Sequence, residues 1–217
     1  MLVALTRKKF EQLIPAASTG AQYVYVWGKV SDFLRRLLFS VLAIVLDWLI
    51  LGFLDTGIQL FVGLIAGLYW LWSPAIVASL RNLQCRRYRY SGFWQGEVFD
   101  VYISEDLIGK EETVNKRGEL VIIENRERRL NLEIGDESGF STRIQVPLKR
   151  EHQAVRPRDV AQLLVMSNQS DMGRITKVSD VYIPAHKLWV SDYPYLQRDV
   201  FEQMSRTLAQ RGRSQAN

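Results

Sequence analysis

The sequence predicts a membrane-anchored chain of mixed class. It reads as a membrane α-helical hairpin of two transmembrane helices, followed by a C-terminal mostly-β domain, a small barrel or sandwich of OB- or SH3-like type, that ends in an α-helix. Three observations predict this. Residues 37–54 and 58–80 are apolar runs of 18 and 23 residues, separated by only three. Polarity changes abruptly near residue 90. Beyond that point apolar residues recur with period two, the spacing of half-buried strands.

Charge follows the same division. Residues 1–90 carry ten Lys/Arg against four Asp/Glu, whereas residues 91–217 carry eighteen against nineteen. The mean hydropathy of −0.07 averages over two unlike halves. A nucleic-acid binder concentrates positive charge on its binding domain. Here the excess lies around the apolar runs, which argues against nucleic acid and for a topology signal. The single cysteine, Cys85, permits no internal disulfide. No secretory signal is evident, because the apolar run begins near residue 37, too late for one.

Residues 1–30 form an N-terminal cytoplasmic segment. Thr6–Ile14 places Arg7, Lys8 and Lys9 on one side of a short amphipathic helix and Phe10, Leu13 and Ile14 on the other. Such a helix suits an anionic lipid surface. A loosely ordered tail is the plainer alternative.

Residues 31–90 form the hairpin. A bilayer core of about 30 Å needs about 20 helical residues, so both runs are long enough. Basic residues flank the outer ends: Arg35 and Arg36 before, and Arg81, Arg86, Arg87 and Arg89 after. The positive-inside rule then predicts an integral, multi-pass protein with both termini on the cytoplasmic or stromal side. These arginines and Trp94, in an aromatic run after the second helix, are the expected interface anchors. Gly63 and Gly67 form a G-x-x-x-G that lets another helix approach closely. Packing on Ser40 and Ala43 of the first helix is the simpler use, a partner's helix the sharper one. Asp47 lies near the middle of the first helix, where a carboxylate must be protonated, paired or turned to a polar neighbour. Tyr69 is the expected donor to it.

Residues 91–217 form the β-rich domain. RLNLEI at 129–134 and RIQVPL at 143–148 alternate apolar and polar residues across the loop GDESG, which reads as a hairpin. Further strand candidates are 96–104, 119–124, 160–167 and 175–183, with turns at NKRG, 115–118, and at Pro157–Asp159. Pro194 opens a C-terminal helix over about 194–210, with Leu196, Val200, Met204 and Leu208 on one face.

Chemistry is sparse. His152 and His186, the only histidines, have no ligand partners at metal spacing. No phosphate loop or nucleophile elbow is present. The reading is therefore not an enzyme, with no catalytic residues, no metal and no cofactor.

The lead-in YVWGKVSDFLRRL, the two-helix hairpin, and a tail holding IQVPL and VRPRDVAQLLVMSN together resemble a family of cyanobacterial and plastid two-transmembrane-helix proteins. Some of its members are labelled phosphate-transporter permeases. The resemblance implies a thylakoid membrane location and a role near photosynthetic complexes. Two helices alone do not enclose a conventional transport path. The expected function is thus a non-enzymatic assembly factor or scaffold for a membrane protein complex, with the lipid bilayer and the complex's subunits as partners. Two alternatives are an accessory of a transporter or ion-handling homo-oligomer using Asp47, and a lipid-binding, membrane-shaping protein.

Overall fold

Alternation along the C-terminal half builds one antiparallel sheet. In the computed structural model, which describes residues 1–50, 56–114, 120–137 and 139–216, the strands are β1 Leu2–Ala4, β2 Tyr90–Val114, β3 Leu120–Gly135, β4 Ser141–Pro147, β5 Val160–Ser167, β6 Lys177–Ile183 and β7 Leu188–Val190. The helices are α1 Arg7–Leu13, α2 Gly20–Trp27, α3 Val30–Ile50, α4 Thr56–Gly67, α5 Tyr69–Arg86 and α6 Arg198–Ala216, with a 3-10 turn at Arg150–Ala154. The chain divides into two units. A sheet unit comprises Met1–Arg7, Arg89–Asp192 and Ser205–Asn217; a helical unit comprises Lys8–Tyr88 and Tyr193–Met204.

The sheet order is β4-β3-β2-β5-β6-β7, with β1 added beside the start of β2. The hairpin expected from RLNLEI and RIQVPL is present, pairing Leu130 with Val146 and Leu132 with Ile144. Their shared face enters a core with Val98, Leu163, Val165, Val181, Ile183 and Val190. Among the described residues the sheet does not close into a barrel: β4 and β7 are the two ends of the path and do not pair with each other. The 96–104 and 119–124 candidates belong to far longer strands of 25 and 16 residues. The NKRG turn lies outside the described residues. The expected turn at Pro157–Asp159 is formed, with the Asp159 N–H donating to the Arg156 carbonyl at 3.2 Å. Arg158 takes the positive φ of 73° that a type II turn needs at that place.

Trp94 overturns its assignment as a membrane-interface anchor. It is only 1% exposed, at the base of the core. Its Nε1 donates to Asp136 Oδ2 at 2.7 Å, and its ring meets Phe140 edge-on at 5.2 Å. Gly96 makes room for it: a Cβ there would come within 2.3 Å of both the indole ring and the Gly135 carbonyl oxygen.

The membrane hairpin is also overturned. Among the described residues no single helix is long and apolar enough to cross a membrane. Helix α3 starts at Val30 and so includes Asp32, Arg35 and Arg36, and Asp47 adds a fourth charge. Residues 51–54, the end of the first apolar run, lie outside the described residues. The second apolar run is not one helix. It breaks at Leu68, and α4 and α5 are bent by 65°; only as that bent pair do they meet the length and hydropathy expected of a span. Side-chain hydrogen bonds hold the break. Trp72 Nε1 donates to the Ile65 carbonyl at 2.9 Å, and the Trp70 N–H, an orphan donor at the start of α5, goes to Ser40 Oγ at 3.2 Å. The multi-pass topology and its cytoplasmic or stromal termini rested on two spans and fall with them, as does the thylakoid placement.

The ends differ from expectation too. The first residues form β1 against β2. Helix α1 forms, but Phe10, Leu13 and Ile14 are buried in the protein instead of being offered to lipid. The C-terminal helix begins at Arg198, after Pro194.

Candidate functional site

Within the helical unit, α3 and α4 pack on each other through the residues singled out above. A Cβ at Gly63 would stand 3.0 Å from Asp47 Oδ2, and one at Gly67 would stand 3.1 Å from Ile44 Cδ1. The glycines thus admit side chains of the protein's own α3. Asp47 is turned against α4, with Oδ1 buried and making no hydrogen bond among the described residues. Tyr69 does not reach it and instead stacks edge-on against Trp72, with ring centroids 5.2 Å apart.

The arginines have mostly structural partners. Arg36 donates to the carbonyls of Val26, at 3.2 Å, and Trp27, and its guanidinium lies 5.1 Å from the Trp27 ring centre. It thereby ties the end of α2 to α3, inside a cluster in which Trp27 also meets Phe33 and Trp70. Arg35 lies over Phe39, Arg81 lies over Tyr193, and Arg86 pairs with Glu11 at 2.9 Å. Arg87 caps α5 through its backbone N–H, and Arg89 is exposed in the bend before β2.

Two residues that no motif flagged organise this unit. Gln22 and Asn82 are both fully buried and exchange reciprocal amide hydrogen bonds of 3.0 and 2.8 Å. Gln22 Nε2 also donates to the Pro194 carbonyl at 2.9 Å. Gln22 closes a capping box with Thr19 at the start of α2. The T-x-x-Q spacing is the signal that could have identified it.

The outer surface of α3 and α4 is apolar. Twelve of their large apolar side chains are at least half exposed, including Trp48 at 72%, Leu60 at 69% and Phe61 at 64%. Scattered exposed apolar residues are normal, but contiguous ones mark a binding surface. At the α4–α5 elbow, Leu64, Ile65, Leu68, Trp72 and Ile76 line a wholly apolar groove of about 370 Å³. In the sheet unit, a cleft of about 390 Å³ beside Gly96 and Gly135 carries Glu97, Asp136 and Glu137. Among the described residues no group of His, Cys, Asp and Glu could hold a metal ion.

A family model for DUF8619, a family of unknown function, matches residues 3–213. The chain belongs to that family. No curated protein and no solved structure matches it. The DUF8619 match carries no transport role and no source organism, so the cyanobacterial and plastid likeness remains an expectation from sequence.

One titratable group in this DUF8619 chain has a shifted pKa of structural consequence. His152, 1% exposed, accepts the Lys149 N–H at Nδ1 over 3.3 Å, while its Nε2 is buried without a partner among the described residues. Burial pushes its pKa below the usual 6.5; the Lys149 cation adds to the effect and Glu151 opposes it. With the folded pKa below the unfolded one, the unfolded chain binds the extra proton first. Stability is therefore full above pH 6.5 and falls as pH drops from there toward the folded pKa. Thermal melts should show this slope in the wild type. His152→Asn, which keeps an acceptor near Nδ1 but cannot titrate, should flatten it. An unchanged slope would assign the dependence to other groups.

Proposed function

We propose that the protein is a non-enzymatic scaffold or assembly factor whose helical unit holds apolar helices of a partner protein complex. The observation that carries this reading is the exposed apolar surface of α3 and α4, continued into the groove at the α4–α5 elbow. Full burial of a large apolar side chain is worth about 1.5–3 kcal/mol, and these side chains, half or more exposed, forgo roughly half or more of it, a driving force that a partner recovers on binding. Subunits of a membrane protein complex offer helices of matching chemistry. The near-balanced charge of residues 91–217 fits a protein partner better than nucleic acid.

Affinity capture from a mild-detergent extract tests the reading. The wild-type chain should recover a defined complex in constant stoichiometry. Trp48→Gln combined with Phe61→Gln removes two rings that are 72% and 64% exposed, and should cut recovery about tenfold or more while the far-UV spectrum stays the same. Recovery of the chain alone, binding only to protein-free lipid vesicles, or equal recovery by the variant would each defeat it.

A further inference from the structure

Between Arg36 and Arg81 the sequence holds no Lys, Arg or His, and its only acids are Asp47 and Asp55. On α3 the nearest cation to Asp47 is therefore Arg36, about three turns earlier and roughly 16 Å away along the axis. Helix α4 has none. The Arg36 guanidinium is also committed elsewhere, to the carbonyls of Val26 and Trp27. The apolar surface of α3 and α4 thus contains a carboxylate for which its own helices supply no counter-ion.

The carboxylate stands at the seam of the two helices. Among the described residues Oδ1 is buried and takes no hydrogen bond. Asp47 as a whole is half-buried, and so is Gly63 on the facing helix. Leaving aside the backbone of α4 itself, a Cβ built at Gly63 would meet only Asp47 among the described residues, with Oδ2 at 3.0 Å and Cγ at 3.8 Å. Gly63 therefore leaves a notch, and one wall of that notch is a carboxylate oxygen at hydrogen-bonding distance. Large apolar side chains adjoin it along the helices: Trp48 on α3, and Leu60 and Leu64 on α4, are 72%, 69% and 60% exposed.

A partner that covers this surface takes Asp47 out of water. Removing an ionised carboxylate from water is strongly unfavourable unless it is paired. A purely apolar helix would be penalised for docking there, whereas a helix that brings a cation would not.

We propose that the partner element that docks on α3 and α4 is an apolar helix carrying one lysine, whose ammonium enters the Gly63 notch and pairs with Asp47 Oδ2. This deepens the reading of that surface as a docking site for apolar helices, and rests on it. Lysine fits the notch better than arginine does. With Oδ1 enclosed, the carboxylate offers one oxygen, whereas the guanidinium fork is built to engage two. The aliphatic stem of the lysine lies along the apolar flanks while its head reaches the carboxylate. A lone lysine in an apolar helix is itself costly to bury, so each element supplies what the other lacks. Helices without the lysine are rejected by the same unpaired charge, which gives an otherwise unselective apolar surface its specificity.

Two synthetic Leu/Ala helices of about 20 residues serve as probes, one with a central lysine and one with glutamine in its place. Binding to the full chain in mild detergent is read from the fluorescence anisotropy of a label on the peptide. The lysine peptide should bind the wild type about tenfold or more tighter than the glutamine peptide. Asp47→Asn is nearly isosteric and should bind both peptides alike. Asp47→Lys should instead prefer a third peptide with a central glutamate. If the wild type binds the lysine and glutamine peptides equally, the pairing is overturned while the docking surface stands. If Asp47→Asn keeps the preference for lysine, even with both affinities lowered, Asp47 acts only on the packing of α3 against α4 and the pairing is again overturned. If the wild type binds neither peptide, the docking surface fails and the pairing with it. Asp47→Asn decides the matter alone if Asp47→Lys does not fold.

Discussion

Trp94→Ala is expected to lose about 3–5 kcal/mol of stability, the range for removing a large buried aromatic from a core. Trp94 occupies a site that other residues have shaped themselves around. Its ring lies over Gly96, whose missing side chain leaves the space, and edge-on to Phe140. Its Nε1 reaches from β2 to Asp136, the residue that follows β3. Alanine removes the ring and the bond together, and the Gly96 and Gly135 backbones, already in close approach, cannot move into the void. A melt followed by near-UV circular dichroism should drop by roughly 10 °C or more for a chain of this size. Trp94→Phe separates the two contributions. It keeps most of the buried area and loses only the hydrogen bond, so a cost near 1–2 kcal/mol is expected. If Trp94→Ala melts within a degree or two of wild type, the ring is not a core element.

The same residue explains why the sequence was misleading there. Trp94 follows Arg86, Arg87, Tyr88, Arg89 and Tyr90, a composition that suits a bilayer boundary. Yet Trp94, Gly96 and Val98 are spaced by two, and that spacing, with a glycine beside an indole, already describes the inner face of a strand. Period-two alternation was legible wherever a strand has one buried side, as for Leu130, Leu132 and Ile134 in β3. It was less legible in the arm of β2 and β3, where charged and apolar residues share a face and Leu107, Leu120 and Ile122 are exposed. Hydropathy failed for a different reason. It counts apolar residues but does not register where a helix breaks. At the break the Trp72 indole bonds back to Ile65, and the Trp70 N–H goes to the Ser40 hydroxyl, 30 residues away, a contact that no window of the sequence shows. Gly63 and Gly67 stood out by their G-x-x-x-G spacing, with Ser40 and Ala43 as the expected neighbours, and Asp47 by its charge in an apolar run; the structure instead sets Gly63 against Asp47 and Gly67 against Ile44. Gln22 and Asn82 lie 60 residues apart, and no window of the sequence brings them together.

That pair gives the second large effect. Asn82→Ala should destabilise the helical unit by about 2–4 kcal/mol, combining a small cavity with the loss of both bonds of the amide pair. Gln22 would keep its bonds to the Thr19 N–H, at 3.0 Å, and to the Pro194 carbonyl. Its amide would still lose one acceptor and one donor where water is absent. Asn82→Asp is the sharper experiment, because it changes almost no volume. The Nδ2 group that donates to Gln22 Oε1 at 2.8 Å becomes an oxygen, so two acceptors face each other. The introduced carboxyl is also buried, and burial raises its pKa above the unfolded value. A raised folded pKa means stability that is present at low pH and lost as pH rises through the folded value. The variant should therefore be much less stable than wild type at neutral pH. The deficit should narrow on acidification, when the protonated carboxyl regains a donor to offer Gln22. Melts of Asn82→Asp and wild type across pH 4 to 8 read this directly, and they should converge at the acid end. A constant gap would show that the buried amide pair does not control the packing of α2 on α5.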